Sequence, residues 1–146
     1  MPVYCDIFPE LNLIVYVCVD TVIPVEFFRA GDVIALDPRL KEKMKIIIDF
    51  HSAELETSVS DLHLAIQKHR EAKLRGHEVG QAAVLTTSMA LHYLGDAIKL
   101  LSFDSVSNFG IFHHERDVIS WLDLPEAEAL TAWEKVREIA SNSKSG

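Results

Sequence analysis

Long apolar runs are missing from this 146-residue chain. No uninterrupted stretch approaches the ~20 residues that a membrane-spanning helix needs, so the sequence predicts no membrane span. An excess of basic residues is missing too. Lys and Arg number 14 against 22 Asp and Glu, leaving a formal net charge of −8 with no basic cluster. Nucleic acid and anionic membrane surfaces are therefore poor partners on electrostatic grounds. Cysteine is scarce: Cys5 and Cys18 lack C-x-x-C spacing, which argues against a disulfide framework or a thiolate zinc site and fits two reduced thiols in a cytoplasmic protein. The opening MPVYCDIFPE has no basic segment followed by an apolar one, so it does not read as a signal peptide. Gly and Pro are few, at six and five, and no linker or low-complexity stretch breaks the chain. The expectation is one α/β domain over 1–141 and a disordered tail over 142–146.

The familiar catalytic fingerprints are also absent. There is no G-x-G-x-x-G, no Walker A, no G-x-S-x-G and no H-E-x-x-H, so nucleotide binding and α/β-hydrolase chemistry have no local support.

What is present is an alternation of two patterns. Four short runs rich in β-branched and aromatic residues, LNLIVYVCV (11–19), KIIIDF (45–50), QAAVLTT (81–87) and SNFGIFH (107–113), predict strands. The first three are almost continuously apolar, as in parallel strands buried on both faces. Helical patterns fill the gaps. Pro24 suits the first turn of a helix through VEFFRAGDVIAL, with Asp37 and Pro38 beyond its end. Ser58 and Asp61 have capping spacing before a stripe of Leu62, Ala65, Ile66, His69 and Lys73, closed by Gly76. Ser88 caps a third helix whose stripe is Leu91, Leu94, Ile98 and Leu101. Glu115 or Arg116 opens a short fourth one carrying Val118, Ile119, Trp121 and Leu122. Pro125 begins a fifth with Ala129, Leu130, Trp133, Val136 and Ala140 on one side. The pattern predicts four successive β-α units, a mostly parallel sheet with right-handed crossovers, and an extra C-terminal helix. Crossovers progressing in one direction put the connecting helices on one face. The strands nevertheless read as apolar on both faces, so the fifth helix, a partner domain or a second copy must cover the other.

The histidines next to Glu115 invite a metal reading. On a strand, however, His113 and His114 point to opposite faces, and on a helix neighbouring side chains also diverge. Glu115 has its own explanation as an acid in a first helical turn, worth about 0.3–1 kcal/mol. If strand order follows the chain, His51 and His113 stand two strand spacings apart, about 10 Å at the backbone. His63 and His69, six apart, have poor chelate spacing, and His69 falls on the apolar stripe; His92 and Asp96, at i, i+4 on a polar helix side, read as a solvated pair, and His77 as a loop residue. The sequence predicts no metal and no cofactor.

In open α/β sheets, ligands gather beyond the carboxyl ends of strands. The residues predicted there are Asp20 and Thr21; Asp49, His51 and Ser52; Thr86, Thr87 and Ser88; and His113, His114 and Glu115. Asp20, Asp49, His51, Ser52, Thr87, Ser88, His113 and His114 form a candidate partner or ligand edge. Asp49 and His51 resemble an acid/base pair but have no nucleophile fixed beside them. Polar side chains at such ends also serve to satisfy loop backbone and helix starts.

Four passages taken together resemble the SpoIIAA-like group of small STAS-related domains, from about Phe8 to Leu122. They are PELNLIVYVCV, ALDPRLKEKMKIIIDF, AAVLTTSMALHYLGDAIKLL and IFHHERDVISWL, the last resembling a closing V-F-x-x-x-x-x-A-x-x-W-L. The resemblance implies successive β–α turns and a regulatory or protein-binding module rather than an enzyme. It also implies a phosphorylated serine at the start of the helix after the second core strand. That family motif reads D-S-S-G-L-G. Here the stretch is ETSVSDLHL, so Ser58 is the candidate, with Thr57 and Ser60 beside it and the Gly-Leu-Gly absent. The bottom-up reading of Ser58 is a helix cap, whose loss costs about 1 kcal/mol.

Three function classes follow. The first is a non-catalytic regulatory or protein-interaction module with a protein partner, a homodimer included. The second binds a lipid or small apolar ligand, with MALHYLGDAIKLL flanking a groove. The third is a metal-assisted enzyme using the strand edge.

Overall fold

The computed structural model describes residues 3–56, 67, 80–87 and 109–144. Five strands form one sheet in chain order: β1 (Val3–Phe8), β2 (Leu13–Val22), β3 (Lys45–Leu55), β4 (Ala82–Leu85) and β5 (Phe109–Phe112). Helices α1 (Pro24–Ala35), α2 (Glu115–Trp121) and α3 (Glu126–Lys144) are delimited among the described residues. Strands β2 to β5 are mutually parallel and β1 is antiparallel to β2. The parallel sheet of four strands and the C-terminal helix agree with the sequence pattern. The helices expected over 58–76 and 88–101 lie outside the described residues, apart from Gln67, which is helical.

The sequence pattern missed β1. Its six residues, VYCDIF, carry Asp6 inside and Pro9 just beyond, so the run looks too broken for a strand. The turn makes it one. Pro9–Leu11 form a single 3-10 turn, and Asn12 closes it in the left-handed region at φ 52 with its N–H on the Pro9 carbonyl at 3.1 Å. Asn tolerates that conformation better than most residues, and the chain folds back as an antiparallel pair.

Strand β2 shows why near-continuous apolarity means burial on two faces. Leu13, Val15, Val17 and Val19 belong to one core cluster, while Ile14, Tyr16, Cys18 and Val22 belong to a second. Alternate side chains of one strand feed opposite faces. Ala30 and Ile34 of α1 cover the second cluster. Val118, Ile119 and Leu122, from α2 and the residue after it, cover the first together with Ala129, Ala132, Trp133, Val136 and Ala140 of α3. The C-terminal helix therefore covers the face opposite α1. Beyond Ala140 the helix continues through exposed residues to Lys144, into the stretch where the sequence suggests a frayed tail.

Candidate functional site

The cross-strand register sets the site. Val17, Asp49, Leu85 and Phe112 lie in one row across β2, β3, β4 and β5. That row is the last to span all four parallel strands, because β4 ends at Leu85 and β5 at Phe112. Strands β2 and β3 continue as a two-stranded ribbon that pairs Val19–Val22 with Ser52–Leu55. This corrects the sequence placement of five residues. Asp20 and Thr21 lie inside β2, and Asp49, His51 and Ser52 lie inside β3, rather than at strand ends. The ribbon outlasts its neighbours because β2 and β3 pair with each other beyond the point where β4 stops.

Between Val17 and Val19 the register slips by one residue on the β3 side, a bulge. A bulge leaves backbone groups without ladder partners. Here Asp49 supplies one, as its Oδ1 accepts the His51 N–H at 2.8 Å. Asp49 is 2% exposed, and a buried carboxylate must find donors. Its Oδ2 accepts the Trp133 indole N–H and the Arg137 Nε–H, both at 2.8 Å. Trp133 and Arg137 are one helical turn apart on α3, so both reach the same acid. The Arg137 guanidinium lies 4.9 Å from the Trp133 ring centroid, within cation–π range. Its Nη1 donates to Glu115 Oε1 at 2.9 Å, at the first turn of α2. Burial works against the charge on Arg137, yet the Asp49 and Glu115 carboxylates outweigh it and hold its pKa above the ordinary value. Arg137 Nη2 is buried without an acceptor among the described residues. One cation thus joins β3, α2 and α3.

A cleft of about 200 Å³ opens over the bulge between α3 and the ribbon, lined in part by Asp49, Ser52, Arg137 and Ser141. The remaining edge residues face solvent. His51, Ser52, Thr87, His113 and His114 are exposed, as is Asp20, whose φ of 59 puts it in the left-handed region. His113 donates its Nδ1–H to the Thr86 carbonyl at 2.7 Å, and a carbonyl can only accept, so this nitrogen carries the proton. His114 occupies the N-cap of α2 with no side-chain cap bond. Thr86 is fully buried, while Ser88 and Ser58 lie outside the described residues. Asp49 and His51 meet through the His51 backbone rather than its ring, so the geometry builds a brace and not an acid/base pair. With strands in chain order, His51 and His113 belong to strands separated by β4. No group of three His, Cys, Asp or Glu side chains with the spacing to hold a metal occurs among the described residues.

Trp133 and Arg137 were not legible as site residues. Trp133 reads as part of an apolar stripe, and that stripe passes over Arg137. The available signals were a lone Asp inside KIIIDF, which requires a partner, and an Arg four residues after a stripe Trp.

No family model matches this chain, and no curated protein does either. Among solved structures it is similar to an uncharacterized protein of the DUF3478 family from Shewanella loihica PV-4, described as having a SpoIIAA-like fold. The likeness covers 82% of this chain and 91% of that one, with a TM-score of 0.53 and 14% sequence identity. At that identity the likeness carries architecture and not chemistry. Strand order, the one-sided placement of α1, the covering C-terminal helix and this neighbour together make the chain a SpoIIAA-like α/β fold.

Proposed function

We propose that this chain is a non-catalytic, cytoplasmic protein-interaction module of the SpoIIAA-like type, meeting a protein partner through the polar edge of His51, Ser52, Thr87, His113 and His114. The observation that carries this reading is the use made of Asp49. Both of its oxygens are spent on the bulge N–H, Trp133 and Arg137, which commits the one buried acid of the edge to structure. The histidines around it stand exposed on a braced platform, an arrangement suited to contact rather than to proton transfer within a closed pocket. Ser58, at the helix start that the sequence pattern predicts, is the proposed modification site, whose added charge would change what the module attracts.

Native mass spectrometry of the protein isolated from its own cells tests this, alongside a His51→Ala/His113→Ala/His114→Ala variant of unchanged circular dichroism. The expected result is a stoichiometric protein complex for the unaltered chain, lost in the variant, and a phosphorylated fraction mapping to Ser58. A spectrum showing a bound lipid or metal ion and no protein partner would sink the proposal and favour the ligand-binding or enzymatic reading.

A further inference from the structure

Strand β1 is the terminal strand of the sheet, and the hydrogen-bond parity of its neighbour shows which of its groups face outward. The Asn12 carbonyl accepts the Lys45 N–H of β3 at 2.9 Å. Backbone groups alternate sides along a strand, so Ile14, Tyr16 and Cys18 also address β3, while Leu13, Val15 and Val17 address β1. Ile7 stands opposite Ile14, Cys5 opposite Tyr16 and Val3 opposite Cys18. The N–H and C=O of Val3, Cys5 and Ile7 therefore point away from β2, toward the edge, which no other strand among the described residues pairs.

At Ile7 both outward groups are already taken by side chains. Its N–H donates to Asp6 Oδ1 at 2.8 Å, and its carbonyl accepts Arg39 Nη1 at 3.2 Å. Arg39 is itself held in a fork. Its Nε and Nη2 donate to the two oxygens of Asp37 at 3.1 and 2.9 Å, its backbone N–H donates to Asp37 Oδ1 at 2.8 Å, and Nη2 also meets Asp6 Oδ1 at 3.0 Å. A planar guanidinium with several fixed donors can do this where a lysine could not. The residue comes from the loop after α1, so the loop is folded against the edge.

We propose that Asp6 and Arg39 guard the free edge of the sheet, filling the two ladder positions of Ile7 that a strand from a second copy of this chain would otherwise use. A second copy is the fitting occupant because the outward positions are symmetric about Cys5. Antiparallel pairing across a twofold axis there sets Val3 against the second copy's Ile7, and the same contact is made twice. Such pairing would join two five-stranded sheets into one continuous sheet, which is the hazard of an unguarded edge. The guard is ionic and partly exposed, with Arg39 46% and Asp6 35% accessible at the side chain, so it opens by substitution without removing core side chains.

The test compares the full chain with Asp6→Ala/Arg39→Ala by light scattering on a sizing column, with hydrogen exchange read at Val3, Cys5 and Ile7. The guarded chain is expected to keep its mass over a concentration series. The variant is expected to associate at least tenfold more tightly and to slow exchange at those three amides. Adding Cys5→Pro should reverse both effects, with exchange then read at Val3 and Ile7, because the Cys5 N–H faces outward and proline there removes no bond to β2. Equal masses for the two chains overturn the proposal, as does association that survives Cys5→Pro. Should circular dichroism show that the alanine pair fails to fold, Arg39→Met, which keeps most of the stem and removes the donors to Ile7 and Asp6, is read by the same criteria.

Discussion

Asp49 and Arg137 place a charge pair where the rest of the sequence builds an apolar interior. A buried ion pair offers little net stability over an apolar substitute, but removing one partner strands the other in a medium that cannot solvate it. Arg137→Met keeps the stem and deletes the charge, leaving Asp49 with the Trp133 and His51 donors alone. The expected loss is about 3 kcal/mol in urea unfolding, and Asp49→Asn in the same background should return part of it. A single variant as stable as the parent, or losses that simply add, would show that the two residues do not act as a pair. The residue was visible in the sequence as an Asp in an apolar run. Its partner was not, because Asp49 and Arg137 are 88 positions apart and no local pattern spans that distance.

At the scale of elements, α3 does what the apolar patterning of the strands demanded. Ala129, Ala132, Trp133, Val136 and Ala140 are all buried against the face opposite α1, and small residues around one Trp let the helix lie close to β1 and β2. Deleting 126–146 would uncover that face, and exposed contiguous apolar surface drives association. The truncated chain is expected to bind a hydrophobic dye strongly and to elute as aggregate. A truncated chain that stays dispersed and silent to the dye would mean that something other than α3 covers the sheet. The stripe of α3 and the opening of α2 at Glu115 were legible because they rest on local spacing. Strand β1 was not, because its strand character depends on the Asn12 turn and on a partner already folded.

For the whole molecule, the second core cluster carries groups whose ionisation the fold opposes. Burial above all, then the charge of Asp49 and of Cys5, raises the Cys18 thiol well above its ordinary 9.0. Burial likewise raises the Tyr16 phenol from 10.0. Both stay protonated in the fold, whereas the unfolded chain releases their protons. Stability from these groups is therefore complete below about pH 9 and falls as pH rises above it, by up to about 1.4 kcal/mol per pH unit for each titrating group. Urea midpoints measured from neutral to alkaline pH should begin to fall near pH 9, and Cys18→Ala should delay that fall. A decline identical in both chains would assign it to other groups. The rim has the opposite sign: Asp37, held low by its bonds from Arg39, favours the fold above its unfolded value and releases that contribution as pH falls.

Periodicity alone determined the strand–helix alternation, the four parallel strands, the Pro24 and Glu115 helix starts and the α3 stripe, because each depends on residues within a turn or two of one another. Tertiary structure alone decided three further things. It recruited β1 as an antiparallel edge, it ran β2 and β3 past their neighbours so that Asp49 became an interior residue, and it brought Trp133, Arg137 and Glu115 to that acid. Each of these requires groups distant in the chain to meet, and a buried charge shows only that a partner must exist, whereas the packed helix determines which residue it is.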